Sequence, residues 1–348
     1  MKSSQAQTQT VLVTGGSGFL GSWCVIELLR RGYQVRTSVR DLAREACLRA
    51  AIASSAPDAD ERLSVVAADL RSDDGWEHAV NGCDCVLHVA SPFPPAQPKD
   101  PDELIVPARE GTLRVLAASI DAGVRRVVVT SSIAAITGGG LEAGSRPLTE
   151  DDWSDPDDLR LTPYARSKTI AERAAWDLVR ERGETERLAV VNPGAILGPV
   201  LSEDRSYSIE LIERLLRGMP GVPRIGFNIV DVRDVVDLHL RAMTAVQAGG
   251  ERLIAVESFQ WMQQIAEVLR EELGQAAAKV PTRRVPNALV RAMGLFDPGV
   301  RAIVGQLGRR TEVSGEKAKT LLGWSPRPTP ETILDCSQSL VDQGVVKA

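Results

Sequence analysis

The stretch 10–41, TVLVTGGSGFLGSWCVIELLRRGYQVRTSVRD, constrains the fold more than any other part of this chain. It opens with the apolar run Val11-Leu12-Val13. It then passes through Gly15, Gly16, Gly18 and Gly21 into a segment with helical apolar spacing, Leu20, Cys24 and Leu28. A second β-branched run, Val35 to Val39, closes it. The order is strand, tight turn, helix, strand, a βαβ unit of about 30 residues. The glycines fall where the first strand bends into the helix, and backbone N–H groups at that helix N-terminus can face a pyrophosphate. A glycine-rich turn alone can be no more than a tight loop. Between a strand and a helix, with the next strand at the right distance, it points to a dinucleotide site.

The remainder of the chain repeats the alternation. Residues 41–53 carry helical spacing and Leu63 to Ala67 reads as a strand, followed by Asp69 and Leu70. Asp69 either lies near an adenine or caps a short helix beginning at Ser72. Cys85 to Ala90 is an apolar strand fit for burial in a parallel sheet. Five prolines between Ser91 and Pro101 then place irregular backbone at that strand's C-terminal end, where ligands of such sheets collect. A helix over 102–122 is expected to turn Leu104, Ala108, Leu113, Leu116 and Ala117 inward, and Arg126 to Thr130 is a strand ending in Ser131-Ser132. A long irregular segment precedes Pro163, which opens a helix reaching Glu181, and Leu188 to Val191 is a sixth strand.

Five strand–helix alternations predict an α/β fold, a Rossmann-type doubly wound parallel sheet. The boundaries expected are a disordered tail at 1–9, a cofactor domain at 10–192 with 228–256 returning to it, and a smaller, mostly C-terminal substrate lobe from 193–227 and 257–348. Within the lobe, helices are expected over 207–217 and 230–244, a strand at Leu253 to Val256, and apolar anchors at Trp261, Leu269, Leu289, Leu321, Trp324 and Leu340.

Composition excludes several classes. A net charge of -5 with no basic block expected gives nucleic acid and anionic membranes no electrostatic support. No run reaches the ~18 apolar residues of a membrane span, and the polar N-terminus lacks a signal-peptide core. A cytoplasmic location is expected. The five cysteines read as small buried hydrophobes, with Cys83-x-Cys85 lacking redox or zinc spacing, and the three scattered histidines give no metal site.

Tyr164-Ala165-Arg166-Ser167-Lys168 carries the chemistry. Four residues apart on a helix, Tyr164 and Lys168 share a face, and an ammonium beside a phenol is expected to lower its pKa from near 10 toward a range useful for proton transfer. Ser131 and Ser132 follow a buried strand, which delivers a hydroxyl to the crevice where it can stabilise a developing alkoxide. Either serine fits, and Ser132 is preferred.

Together, Thr14-Gly15-Gly16-Ser17-Gly18-Phe19-Leu20-Gly21, Thr130-Ser131-Ser132, Tyr164-x-x-x-Lys168 and Asn192-Pro193 with Gly198-Pro199 resemble an extended short-chain dehydrogenase/reductase. Gly32 to Asp41, His88 to Phe93 and Val230 to Val235 narrow the resemblance to the microbial members of the dihydroflavonol 4-reductase, cinnamoyl-CoA reductase and aldehyde (carbonyl) reductase group. The resemblance implies a Ser-Tyr-Lys triad of Ser132, Tyr164 and Lys168, a carbonyl substrate and a nicotinamide cofactor. It implies cofactor contacts at Gly15, Ser17, Gly18, Phe19, Leu20, Asp69, Leu70, Val89, Ala90, Ser91, Thr130, Pro193 and Gly194, with Tyr164 and Lys168 among them. It also makes a monomer or homodimer plausible.

Arg40 ends the second strand, with Arg36 and Arg44 near, and arginine there suits the 2′-phosphate of NADP(H). Asp41 beside it keeps NAD(H) possible. Phe93, Pro94, Trp153, Tyr207 and Phe227, with Ser132, are candidates for the substrate pocket. An aromatic content of 4% points to a smaller or looser carbonyl substrate and away from a dedicated flavonoid. The alternatives are an NAD-dependent sugar-nucleotide epimerase or dehydratase, disfavoured by Arg40 and by an expected lack of a basic cluster for a nucleotide-sugar diphosphate in the C-terminal lobe, and a non-catalytic NADP(H)-sensing module, disfavoured by Tyr164 and Lys168.

Overall fold

The structure is a computed structural model and describes residues 9–53, 56, 61–92, 100–138, 146–158, 160–201 and 206–346. Among them the strands are β1 (Thr10–Thr14), β2 (Gln34–Val39), β3 (Leu63–Ala67), β4 (Cys85–His88), β5 (Arg126–Thr130), β6 (Leu188–Pro193), β7 (Ala195–Leu197), β8 (Gly226–Asp231), β9 (Arg252–Ala255) and β10 (Ser258–Trp261). A seven-stranded sheet runs in the order β3-β2-β1-β4-β5-β6-β9, with every neighbouring pair parallel. The chain reverses direction across the sheet between β1 and β4, which opens a crevice at their C-terminal ends.

Alternation along each strand builds two cores at once. Val11, Val13, Leu87 and Val128 turn to one face, under the helices Phe19–Arg30 and Val232–Thr244. Leu12, Val86, Val127 and Val129 turn to the other, under Asp102–Asp121 and Pro163–Glu181. Both faces are covered, which is why these strands read as unbroken apolar runs.

Several expectations are corrected. The return of 228–256 to the sheet is split. β9 joins the main sheet, whereas β8 pairs with β7 and β10 in a separate three-stranded sheet. The helix expected from Val230 begins at Val232, because Asp231 accepts the Arg233 N–H at 2.8 Å and caps it. The short helix expected from Ser72 begins at Trp76, after Gly75 in a left-handed conformation (φ 86°). In helix Asp102–Asp121 the inner face includes fully buried Val115, while Leu113 and Ala117 are half-buried. Leu289 is no anchor, being 52% exposed, whereas Trp324 is 2% exposed and donates its indole N–H to the Asp234 carbonyl at 2.9 Å. Cys47 is exposed, unlike the other four cysteines. All but residue 9 of the expected tail lies outside the described residues.

Candidate active site

The glycine turn joins β1 to helix Phe19–Arg30. Gly15 takes a left-handed conformation (φ 70°), and a Cβ there would meet the Ala90 backbone at 3.1 Å. The ends of β1 and β4 are tied together by Thr14. Its hydroxyl oxygen accepts the N–H groups of Val89 (3.1 Å) and Ala90 (3.0 Å), so its own proton goes to His88 Nδ1 at 2.9 Å. His88 is therefore protonated on Nε2. Burial, and secondarily the Lys168 charge, pushes its pKa down to about 3.

Helix Phe19–Arg30 starts at Gly18 without a side-chain cap. Its first-turn N–H groups have no carbonyl within the helix to bond, the condition that suits an anion. A Cβ at Gly18 would find only the Gly15 carbonyl oxygen, at 3.5 Å. These residues fit the pyrophosphate of a dinucleotide.

Arg40 is exposed at the end of β2 and lies close enough to Asp69 to help lower its carboxylate pKa. Asp41 accepts the Ala43 N–H at 2.9 Å and so closes its own turn, and Arg44 is exposed in that turn. Arg36 does not join this group, because it donates to the carbonyls of His78, Ala79 and Asn81. Asp69 is held mainly by Arg71, whose side chain reaches it at 2.8 Å. Leu70 packs where a Cβ at Gly111 would meet it at 2.8 Å.

Tyr164 and Lys168 lie on helix Pro163–Glu181, capped by Thr162, whose hydroxyl accepts the Ala165 N–H at 3.1 Å. Ser132 Oγ accepts the Ala134 N–H at 3.1 Å and lies near enough to the Tyr164 phenol to act on its pKa. Ser131 points elsewhere and donates to Glu172 Oε2 at 2.5 Å. The expected lowering of the phenol is overturned: burial raises Tyr164 above 10, and the nearby Ser132 hydroxyl opposes that rise. Lys168 Nζ instead donates to the Thr130 carbonyl at 3.4 Å, and burial lowers it to about 8 against the opposing pull of Glu172. The Thr130 hydroxyl is committed to His239 Nε2 (2.8 Å), whose Nδ1–H donates to the Val235 carbonyl. A small cavity behind Lys168 is lined by His88, Ser91, Thr112, Thr130, Ser131 and Glu172, among others.

Across the crevice, the Pro193 carbonyl accepts the Ile133 N–H at 3.0 Å. Gly194 lies so close to β8 that a Cβ would stand 2.3 Å from the Asn228 carbonyl oxygen.

The candidates for the substrate pocket do not converge. Phe93 and Pro94 lie outside the described residues. Tyr207 is 59% exposed, and Phe227 is half-buried against the core. Trp153 stacks under Arg252, with the guanidinium carbon 3.6 Å from its ring centre. Sequence reasoning missed Glu172, although it follows Lys168 by the same four residues that separate Lys168 from Tyr164. The lobe is also not short of basic residues. Residues 279–310 hold Lys279, Arg283, Arg284, Arg291, Arg301, Arg309 and Arg310 against one acid, Asp297.

A glycine-turn βαβ unit on a seven-stranded parallel sheet, with Ser132, Tyr164 and Lys168 above its C-terminal edge, defines a Rossmann-fold protein of the short-chain dehydrogenase/reductase type. The sequence profile of the NAD dependent epimerase/dehydratase family matches residues 11–256, and the chain belongs to that family, the extended branch of the type. It is 33% identical to a cinnamoyl-CoA reductase of Medicago truncatula over 84% of this chain and 92% of that protein. It is 39% identical to a dihydroflavonol 4-reductase of Zea mays over 60% of this chain and 58% of that one. The crystal structure of the yeast methylglyoxal/isovaleraldehyde reductase complexed with NADPH superposes with a TM-score of 0.81 at 27% identity, covering 97% of this chain and all of that one.

Proposed function

We propose that this protein reduces an aldehyde or ketone to the alcohol with NADPH. The observation that carries the reading is the Ser132 hydroxyl set beside the Tyr164 phenol, with Lys168 one helical turn along and the glycine turn two strands away. When bound, NADPH supplies the hydride. The chain's own residues do the rest. The Ser132 hydroxyl donates to the carbonyl oxygen and stabilises the charge that grows there. Tyr164, kept protonated by burial, delivers its proton to that oxygen. Lys168, cationic below about pH 8, holds the nicotinamide ribose and steadies the phenolate left on Tyr164. Raising the pH through about 8 removes that cation, so the rate of reduction falls on the alkaline side.

Arg40, with Arg44 in the next turn, would grip the 2′-phosphate, while Asp41 is occupied by its own turn. NADPH in the yeast reductase supports this choice. Asp69 and Leu70 would flank the adenine, and Gly15, Ser17, Gly18, Phe19 and Leu20 the pyrophosphate. Val89, Ala90, Ser91 and Thr130 would lie along the middle of the cofactor, with Pro193 and Gly194 beside the nicotinamide. The relatives are named for cinnamoyl-CoA, a dihydroflavonol, methylglyoxal and isovaleraldehyde, all carbonyl compounds. A compact aldehyde is the class we assign.

The basic segment 279–310 favours one second reading, an epimerase of an anionic sugar nucleotide with tightly held NAD. A panel of aldehydes and ketones, followed by nicotinamide absorbance with NADPH and NADH, separates the two. Turnover with NADPH supports the reductase. No turnover, with NAD retained through purification, rejects it.

A further inference from the structure

The carboxylate of Glu172 is 1% exposed as a residue and carries three placed bonds. Its Oε2 accepts from Ser131 Oγ at 2.5 Å and from Asn192 Nδ2 at 2.8 Å, and its Oε1 accepts from Arg252 Nε at 2.6 Å. Each donor comes from a different strand or strand end. Ser131 follows β5 and adjoins Ser132. Asn192 lies on β6, next to Pro193 and Gly194, and also donates to the Ser132 carbonyl at 3.2 Å. Arg252 opens β9, and its Nη1 donates to the carbonyls of Glu150 (2.5 Å) and Asp152 (2.9 Å) while its guanidinium covers the Trp153 ring. Glu172 itself sits one turn beyond Lys168 on helix Pro163–Glu181.

We propose that Glu172 is a positioning residue: one buried carboxylate fixes the Ser132 strand end, the Asn192–Pro193 end of β6, β9 and the Tyr164–Lys168 helix in a single register. The proposal rests on the reductase reading. A buried carboxylate with three donors is a rigid junction, and a partly satisfied one would be costly.

The junction acts on Lys168 as well as on geometry. Glu172 is the opposing charge that keeps Lys168 from falling further than about 8. The other groups around Lys168 are Tyr164 on its own helix, His88 on β4, and His239, which reaches Thr130 from helix Val232–Thr244. Burial pushes the two histidines down to about 3 and about 4, so neither changes charge between pH 5 and 9. Arg252 remains beyond Glu172 as its counter-ion. The alkaline limb of the rate therefore reports Lys168 under the field of Glu172.

The test compares Glu172→Gln, Glu172→Asp and the double variant Glu172→Gln/Arg252→Met. The double variant removes both buried charges and avoids the unfolding risk of leaving Arg252 unpaired. In Glu172→Gln the alkaline limb should move down by about one pH unit, the usual effect of losing one near opposite charge, and in the double variant it should move down by less, because the Arg252 cation leaves with the carboxylate. The double variant's kcat at pH 7.5 should fall by roughly tenfold with KM nearly unchanged. Glu172→Asp should restore the limb. Wild-type limb and kcat in the double variant would overturn the proposal. If the wild type reduces no carbonyl, the reductase reading fails separately. Lys168 is then followed without turnover, by competitive acetylation across pH read by mass spectrometry. A lower midpoint in the double variant supports the field from Glu172, and an unchanged one overturns it.

Discussion

Gly18 and Gly21 belong to one turn, yet the structure assigns them different physical duties, and alanine at each separates the two. A Cβ at Gly21 would stand 2.2 Å from the Gly15 carbonyl oxygen, 2.9 Å from the Gly15 carbonyl carbon and 3.0 Å from Gly16 Cα, all backbone atoms. Ordinary contact begins near 3.4 Å, so the turn would have to move by 1.2 Å (3.4 − 2.2). It has little room to do so, because Gly15 rests on Ala90, and a Cβ at Gly16 would meet Thr37 Oγ1 at 2.0 Å. Overpacking of this kind costs about 1–3 kcal/mol. Gly18 has φ −80° and ψ 166°, and its Cβ would find ordinary contact at 3.5 Å. Gly18→Ala should therefore leave the unliganded protein within about 0.5 kcal/mol of wild type. It should nevertheless weaken NADPH binding by roughly tenfold or more, since backbone approach to the pyrophosphate is what glycine there provides. Urea denaturation without cofactor and fluorescence titration with NADPH measure the two effects. Equal stability losses at both positions would refute the steric reasoning, and wild-type affinity in Gly18→Ala would refute the assignment of this turn to the cofactor.

Arg40→Ala should weaken NADPH far more than NADH in the same titration, and equal losses would remove the role given to that guanidinium. Trp324→Ala should destabilise by about 3–5 kcal/mol because it empties a buried volume and leaves the Asp234 carbonyl without its indole partner, whereas exposed Leu289→Ala should stay within about 0.5 kcal/mol. His88 and His239 have folded pKa values depressed to about 3 and about 4, so the stability they contribute is full above the unfolded value of 6.5 and is lost as pH falls below it. By pH 5 the pair accounts for a loss on the order of 4 kcal/mol, and His88→Asn should flatten that acid slope by about half.

The main sheet was legible because strands buried on both faces leave continuous apolar runs, and because the glycines of 15–21 fall between a strand and a helix with the next strand at the right distance. The small second sheet was not. β7 is three residues long, β8 merges in sequence with the helix that Asp231 caps, and β10 carries polar residues beside Phe259 and Trp261. The Tyr164–Lys168 pairing was legible because helical spacing fixes a shared face. The direction of the Tyr164 shift was not, because burial decides it and burial is a tertiary property. Ser131 and Ser132 were indistinguishable in sequence and are separated by what faces each, Glu172 for one and Tyr164 for the other. Glu172 could have been read from the continuation of the four-residue spacing. Its partner Arg252 could not, since it lies 80 positions further along the chain.

Transfer of deuterium from NADPH deuterated at both C4 positions of the dihydronicotinamide tests the central claim most directly. With a turned-over aldehyde, the product alcohol should carry one deuterium on the former carbonyl carbon, and Tyr164→Phe should slow its appearance by roughly 10²–10⁴-fold while still binding NADPH. An unlabelled product, or full activity in Tyr164→Phe, would contradict the account.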